Sequence, residues 1–136
     1  MIQVIAGKRG SGKTKRILSA TNEASKNPSN VVVFVDYDNK HIHDLDREVR
    51  FVNAGEFEIV DDKMLLGFFA GMLTQNYDIN NVCIDGFKKL IKTDLNKTEW
   101  FFTRLEELGN AYKVCFTMTV SEDIDLLPEY IKKYVI

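Results

Sequence analysis

The chain has 136 residues and a formal net charge of −2, with 45% hydrophobic and 28% charged residues. This length and composition predict one globular domain with a core of its own, and they exclude an intrinsically disordered chain. The small negative charge provides no overall basic field to attract nucleic acid, so nucleic acid is not expected among the partners.

The first element in chain order is a glycine-rich loop between a predicted strand and a predicted helix. Residues 7–14 read GKRGSGKT, which is the P-loop or Walker A pattern G-x-x-x-x-G-K-T. Residues 2–6 form a short apolar run typical of a buried strand, and a stripe at helical spacing follows the loop. Strand, loop and helix therefore come in the order that this pattern needs in order to bind phosphate.

Each fixed position of this loop has a physical role. The glycines allow a tight turn in which successive N–H groups point into one anion-sized hollow, and the N-terminus of the next helix adds its positive end. Lys13 is expected to reach the β- and γ-phosphates, and the Thr14 hydroxyl is expected to hold Mg²⁺. The predicted nucleotide-binding residues are Gly7, Lys8, Arg9, Gly10, Ser11, Gly12, Lys13, Thr14 and Lys15.

Two further strands are predicted after this first unit. Residues 31–35 (VVVFV) are a β-branched run typical of a strand buried on both faces, and they end at the polar cluster 36–39. Residues 41–46 are expected to form a loop or a single helical turn. Residues 49–53 predict a short strand, and their charged neighbours place it at a sheet edge.

A long apolar helix is predicted next. Asp61 or Asp62 is expected to cap it, and its broad apolar face must be largely buried. Gly67 and Gly71 lie four residues apart in this segment. The segment is too short to span a bilayer, so we expect the two glycines to allow close packing against the sheet.

Residues 81–85 (NVCID) have the Walker B form, in which a buried strand ends in an acid. A carboxylate delivered by such a strand beside the P-loop can hold a water of the Mg²⁺ shell, so Asp85 joins Thr14 as a predicted metal residue. The segment lies about 70 residues after the P-loop, following an intervening strand–helix unit, as a doubly wound sheet requires.

The C-terminal part predicts two helices around one strand. A helix over residues 98–108 is expected to end at Gly109 as its C-cap. Residues 114–120 predict a strand, along which three hydroxyl residues alternate: Thr117, Thr119 and Ser121. One of them could face a γ-phosphate or an attacking water, or they could simply reflect the β-propensity of threonine. Pro128 is expected to open a final helix, and residues 135–136 could instead extend an edge strand.

Four segments together resemble the core of the RecA-like ATPases, a group of P-loop NTPases. They are GKRGSGKT (7–14), VVVFVDYDNKH (31–41), NNVCIDGFKKL (80–90) and KVCFTMTVS (113–121). The resemblance implies that residues 1–136 form a single P-loop NTPase domain of three layers. Its α/β architecture would be a mostly parallel sheet of about five strands with helices on both faces. It also implies that strand 114–120 lies between the P-loop strand and the Walker B strand.

The resemblance also suggests catalytic residues. In this family the strand after the P-loop helix often ends with a carboxylate that activates the attacking water, and the matching stretch here is FVDYD. The resemblance assigns that role to Asp38, with Asp36 as the second choice. Lys13 is the third residue of the predicted catalytic set. Gly86 stands where many of these ATPases place a Glu, and an Asp side chain is shorter than the usual Glu. Slow hydrolysis is therefore expected of the isolated chain.

Three functions follow from these residues. The expected one is an ATP-binding or other NTP-binding protein that uses Mg²⁺ and acts as a weak or partner-activated ATPase or switch. A kinase for a nucleoside or another small acceptor is an alternative, but such kinases usually close an arginine-rich lid, and no arginine cluster follows residue 85. A nucleotide-sensing subunit with little turnover is the other alternative.

The expected partners follow from the same residues. Beyond the nucleoside triphosphate, a second copy or another protein is expected to supply an activating Lys or Arg at the γ-phosphate. No apolar run approaches the roughly 18 residues of a membrane span, and no signal-peptide pattern follows Met1. We therefore expect a cytoplasmic protein that does not engage a membrane.

Overall fold

Strands and helices alternate along the chain in the computed structural model, which describes residues 1–136. The strands are β1 Ile2–Gly7, β2 Val32–Asp36, β3 Arg50–Asn53, β4 Asn81–Ile84 and β5 Cys115–Ser121. The helices are α1 Lys13–Ser25, α2 Asp62–Gln75, α3 Phe87–Ile91, α4 Glu99–Tyr112 and α5 Glu129–Lys132. Short 3₁₀ turns lie at Ile42–Asp44, Ala54–Phe57, Leu95–Lys97 and Ile124–Leu126. None of the helices is both long and apolar enough to cross a bilayer.

The five strands form one parallel sheet in the order β1-β5-β4-β2-β3. Ile5 pairs with Thr119 across β1 and β5, and Val35 pairs with Ile84 across β2 and β4. β5 therefore separates β1 from β4, which confirms the predicted insertion. The expected position of β3 at a sheet edge is also confirmed. Because every strand runs in the same direction, the carboxyl ends of all five meet at one edge.

Helices cover both faces of this sheet. Successive residues of β2 point to opposite sides, as a pleated strand requires. Val32 and Phe34 pack with Ile17 of α1 in one apolar cluster. Val33 and Val35 belong to a larger cluster that holds the buried faces of α2, α3 and α4. The arrangement is an α/β sandwich of helices, parallel sheet and helices.

Helix α2 begins as predicted but presents its glycines to solvent. Asp61 is the N-cap, and its carboxylate accepts a 2.8 Å hydrogen bond from the Met64 N–H. The row buried against the sheet is Leu65, Phe69 and Leu73, spaced four residues apart. Gly67 and Gly71 lie on another face, where an added Cβ would meet no atom within 4 Å. The expectation that these glycines pack closely on the sheet is wrong.

Helix α4 continues past Gly109, so the predicted C-cap at this residue is wrong. The helix ends at Tyr112, and Lys113 adopts the left-handed conformation with φ 57°. The Lys113 and Val114 N–H groups both donate to the Gly109 carbonyl. A Cβ at Gly109 would lie 2.9 Å from the Val114 carbonyl oxygen. Glycine at this position therefore allows the helix to approach the turn into β5.

The C-terminus forms both of the predicted structures. Pro128 precedes α5 as its N-cap residue. After this helix the chain returns to β1, where Val135 makes a parallel bridge to Val4. The Val4 N–H donates to the Tyr134 carbonyl at 2.9 Å, and the Ile136 N–H donates to the Val4 carbonyl at 3.0 Å. The free edge of β1 is thereby covered over a short length.

Two glycine-to-alanine variants should change the free energy of unfolding in opposite directions. Gly109→Ala should destabilise the protein by about 1–3 kcal/mol, because the methyl group must displace backbone. Gly67→Ala is the matched control in an exposed helix interior and should stabilise by about 0.5–1 kcal/mol. Urea denaturation of both variants measures the difference. Equal stabilities would contradict the close approach of α4 to β5.

Candidate functional site

A cavity of about 590 Å³ opens at the edge where the strands end. Its lining comes from four segments, which lie within residues 9–15, 36–41, 85–89 and 119–121. These segments follow or end β1, β2, β4 and β5. Ligands of open parallel sheets bind outside the carboxyl ends of the strands, so this cavity has the position of a binding site in that class of fold.

The cavity is positively charged although the chain is slightly acidic overall. Six lysines and arginines line it: Arg9, Lys13, Lys15, Lys40, Lys88 and Lys89. Three carboxylates face them: Asp36, Asp38 and Asp85. Tyr37 is the one hydrophobic residue in the lining. A cavity that concentrates positive charge within a protein of net charge −2 favours an anionic ligand.

The glycine-rich loop supplies one wall of the cavity. Gly10 and Gly12 have φ values of 84° and 88°, a region that residues with a Cβ rarely adopt. The loop folds back on itself at Gly7, where an added Cβ would lie 2.6 Å from the Ser11 hydroxyl oxygen. The Ser11 N–H also donates to the Lys8 carbonyl at 3.1 Å. These constraints explain the glycines that the pattern requires.

Helix α1 directs its amino end at the cavity. Its first main-chain bond is donated by the Arg16 N–H to the Gly12 carbonyl at 3.1 Å. The N–H groups of Lys13, Thr14 and Lys15 donate to no group of the chain, and no side chain caps the helix. Unpaired N–H groups and the positive end of the helix dipole together form an anion-binding surface.

Lys13 is the buried cation of the cavity. Its side chain is 9% exposed, and its Nζ donates one hydrogen bond of 2.9 Å to the Lys8 carbonyl. Burial lowers the pKa of Lys13, and the nearby Asp85 carboxylate opposes part of that effect. An ammonium group has three donors, so two remain for an anion in the cavity.

Asp85 is held by two hydroxyl groups. Thr119 donates to its Oδ1 at 2.7 Å, and Thr14 donates to the same oxygen at 3.4 Å. Asp85 is 8% exposed and stands directly after β4. A carboxylate and a hydroxyl beside a phosphate-sized hollow are hard oxygen donors of the kind that Mg²⁺ selects, so these residues fit that ion.

Asp36 ends β2 beside Asp85 and is only partly satisfied. Its Oδ1 accepts a 2.7 Å hydrogen bond from the Tyr37 N–H, whereas its buried Oδ2 has no partner. Burial raises the pKa of Asp36 to about 6. The Tyr37 N–H and His41 lower it, while Asp85 and Asp38 raise it further. Asp36 lines the cavity, but this oxygen is itself buried and unpaired, an arrangement that costs stability.

Asp38 lines the same cavity but is exposed. Its Oδ1 accepts a 2.9 Å hydrogen bond from the Lys40 N–H, which closes a tight turn. The turn is held by Asn53, whose amide donates to the Asn39 side-chain oxygen at 3.1 Å. The sequence ranks Asp38 above Asp36 as the water-activating carboxylate. Both carboxylates lie at the cavity, with Asp36 buried and Asp38 exposed.

The cavity brings together most of the predicted residues. Three members of the predicted nucleotide-binding set do not line it: Gly7, Lys8 and Ser11. Lys8 is exposed, and its Nζ lies 3.7 Å from the Asp123 carboxylate. Five basic or aromatic lining residues were not among the predicted site residues: Tyr37, Lys40, His41, Lys88 and Lys89. Their sequence signal was their position directly after predicted strands.

The buried Asp36 carboxylate should make stability depend on pH. A pKa of about 6 in the folded protein exceeds the usual aspartate value, so the group's contribution is lost as pH rises through about 6. Asp36→Asn should therefore gain stability relative to wild type between pH 4.5 and 7.5, by roughly 1–3 kcal/mol at most. Thermal denaturation across this range measures the difference.

Asp38→Asn is the control for this experiment, because it removes an exposed carboxylate two residues away. This variant should keep most of the pH dependence of the wild type, because burial raises the pKa of Asp36 more than the Asp38 charge does. A difference between Asp36→Asn and wild type that stays constant with pH would contradict the burial of an unpaired carboxylate.

No model of a protein family matches this chain, and no curated protein does. A functional proposal therefore draws on the residues of the cavity and on the strand order.

Proposed function

We propose that the chain is a P-loop NTPase that binds a nucleoside triphosphate with Mg²⁺ and hydrolyses it slowly, or only with help from a partner. The observation that carries this proposal is the meeting of Lys13, Thr14 and Asp85 in one cationic cavity at the amino end of α1. The protein would act as a weak ATPase or as a nucleotide-dependent switch.

The triphosphate is the part of the ligand for which the site is best equipped. The unpaired N–H groups of residues 13–15 and the buried Lys13 ammonium suit phosphate oxygens. The other five cations of the cavity are exposed and can follow a chain of negative charge. The single hydrophobic lining residue, Tyr37, offers little apolar surface to a base.

Mg²⁺ completes the proposed ligand. Thr14 would hold the ion through its hydroxyl, and Asp85 would accept hydrogen bonds from the water molecules around it. When bound, the ion would supply positive charge that offsets the negative charge developing during transfer of the γ-phosphoryl group. Lys13 would bind the β- and γ-phosphates directly.

Strand order supports an ATPase over a small-molecule kinase. Direct pairing of β1 with β4 would have favoured the kinase, but β5 lies between these strands. The lining also contains one arginine, Arg9, and no cluster of arginines that could close over the phosphates. The strand order and the lining residues therefore do not support the alternative that the chain is a small-molecule kinase.

The carboxylates of the cavity support slow turnover. The lining contains no glutamate, and Gly86 follows Asp85 directly. Asp36 is the best-matched acceptor for the proton of an attacking water, because it lines the cavity beside Asp85 and its pKa of about 6 lies close to neutral pH. No arginine other than Arg9 is near enough to line the site, so a second copy or another protein would have to supply a further cation.

A nucleotide switch with little turnover is the second candidate function. The absence of a glutamate from the cavity and the short reach of Asp36 favour it. Binding would then be the functional event, and the two states would differ in what occupies the γ-phosphate end of the cavity. The rate of phosphate release from the wild-type protein distinguishes such a switch from an ATPase.

Replacing Lys13 should remove nucleotide binding without unfolding the protein. Lys13→Ala should weaken Mg–ATP binding at least tenfold, since a charge-assisted contact with phosphate is worth about 1.5–3 kcal/mol. Lys63→Ala removes an exposed lysine from α2 and is the matched control. Titration calorimetry and thermal denaturation measure affinity and stability. Equal affinity in wild type and Lys13→Ala would remove the proposal.

Two aspartate variants should differ in phosphate release. Wild type should turn over well below ~10 s⁻¹, the median for enzymes. Asp36→Asn should lower that rate by about 10²–10⁴, as loss of a general base does, while Asp38→Asn should lower it less than about tenfold. The reverse order would return the catalytic role to Asp38. A wild-type rate near ~10 s⁻¹ at every protein concentration would mean that one chain holds a complete catalytic set.

A further inference from the structure

We propose that Thr119 is a positioning residue, which fixes the Asp85 carboxylate in the orientation needed for Mg²⁺. The inference rests on the proposed function and adds a specific residue to it. It assigns the Thr119 hydroxyl to Asp85 and to the turn after β4, rather than to a phosphate or an attacking water.

Two short hydrogen bonds carry this inference. The Thr119 hydroxyl donates to Asp85 Oδ1 at 2.7 Å and accepts from the Gly86 N–H at 2.7 Å. Thr119 is 2% exposed, so neither bond is shared with bulk solvent. A hydroxyl has a single proton, and here that proton is committed to a carboxylate. It is not free to donate to a γ-phosphate.

The two partners of Thr119 are consecutive residues of the turn that follows β4. Gly86 adopts φ 80° and precedes the five-residue helix α3. One hydroxyl on β5 therefore fixes a side chain and a main-chain amide of the neighbouring strand end at once. The orientation of Asp85 is set by the sheet itself, through the pairing of β4 with β5.

Thr14 alone does not hold the Asp85 carboxylate firmly, so a second group is needed to fix its orientation. The Thr14 hydroxyl donates to the same Asp85 oxygen at 3.4 Å, which is long for this kind of bond. When the Thr14 oxygen gives a lone pair to a metal ion, its proton must point to an acceptor that is already in place. Thr119 keeps Asp85 in place, against repulsion from the Asp36 and Asp38 carboxylates in the same cavity.

Thr117 provides a natural comparison on the same strand. It lies two residues earlier and shares a strand face with Thr119, but its hydroxyl donates to the Gln3 side chain at 3.2 Å. It does not line the cavity. Thr117→Val therefore removes a hydroxyl of the same type from the same strand without touching Asp85.

The experiment compares Thr119→Val, Thr119→Ser and Thr117→Val with wild type. A fluorescent ATP analogue is bound first in EDTA and then during titration with MgCl₂. Thr119→Val should raise the Mg²⁺ concentration for half-maximal effect by about 10–100-fold, as loss of an outer-shell partner does, and should change metal-free affinity less than about twofold. Thr119→Ser keeps the hydroxyl and should restore the wild-type requirement. Thr117→Val should match wild type.

Thermal denaturation separates positioning from simple destabilisation. Thr119→Val leaves the Gly86 N–H without its partner, so some loss of stability is expected. If this variant does not fold, Thr119→Ala replaces it, because the space left can admit a water molecule for that N–H. The shift in Mg²⁺ requirement should then appear in Thr119→Ala and be reversed in Thr119→Ser.

Several outcomes would overturn the inference while leaving the proposed function intact. They are an unchanged Mg²⁺ requirement in the folded Thr119 variant, an equal loss of metal-free affinity, or a serine variant that behaves like valine. An equal shift in Thr117→Val would also overturn it. A wild-type protein that binds no nucleotide, with or without Mg²⁺, removes the proposed function and the inference with it.

Discussion

The pairing of β5 between β1 and β4 is the constraint on which the cavity depends. Parallel strands end at one edge, so the order of strands decides which turns become neighbours. Thr14 and Asp85 are 71 residues apart in sequence, and Thr119 and Asp85 are 34 apart, yet hydrogen bonds join both pairs. If β1 paired directly with β4, the Thr119 hydroxyl could not lie between the two turns. Strand order thus sets the chemistry of the site as well as its position.

Several groups that line the cavity lower the free energy of unfolding. Asp36 holds a buried carboxylate oxygen without a partner, next to two further carboxylates. Lys13 is buried, and Gly10 and Gly12 adopt conformations that cost conformational entropy to fix. Such features persist where the surrounding sheet holds them and a ligand relieves them. Under the proposed function, a bound polyanion would supply a charge partner to Lys13, and its metal ion would supply one to the carboxylates.

Sequence alone predicted most of the architecture because the strands are continuous apolar runs and the loop pattern is specific. It failed where a residue's role depends on contacts across the fold. Gly109 looked like a helix end, but its position is decided by the approach of α4 to Val114. Periodicity could not show that the glycine face of α2 points to solvent. It also could not show that Asp36 is buried while Asp38, two residues later, is exposed and accepts a hydrogen bond within a turn.

The register of β1 has a consequence for biosynthesis. Ile2 pairs with Phe116 and Gly7 with Ser121, so β1 finds this neighbour only when β5, much later in the chain, has left the ribosome. At about 5–20 residues per second, that delay is on the order of ten seconds. During this time the apolar side chains of β1 lack their place in the sheet. The glycine-rich loop that follows β1 is thus synthesised well before the strand that fixes the end of β1 in the sheet.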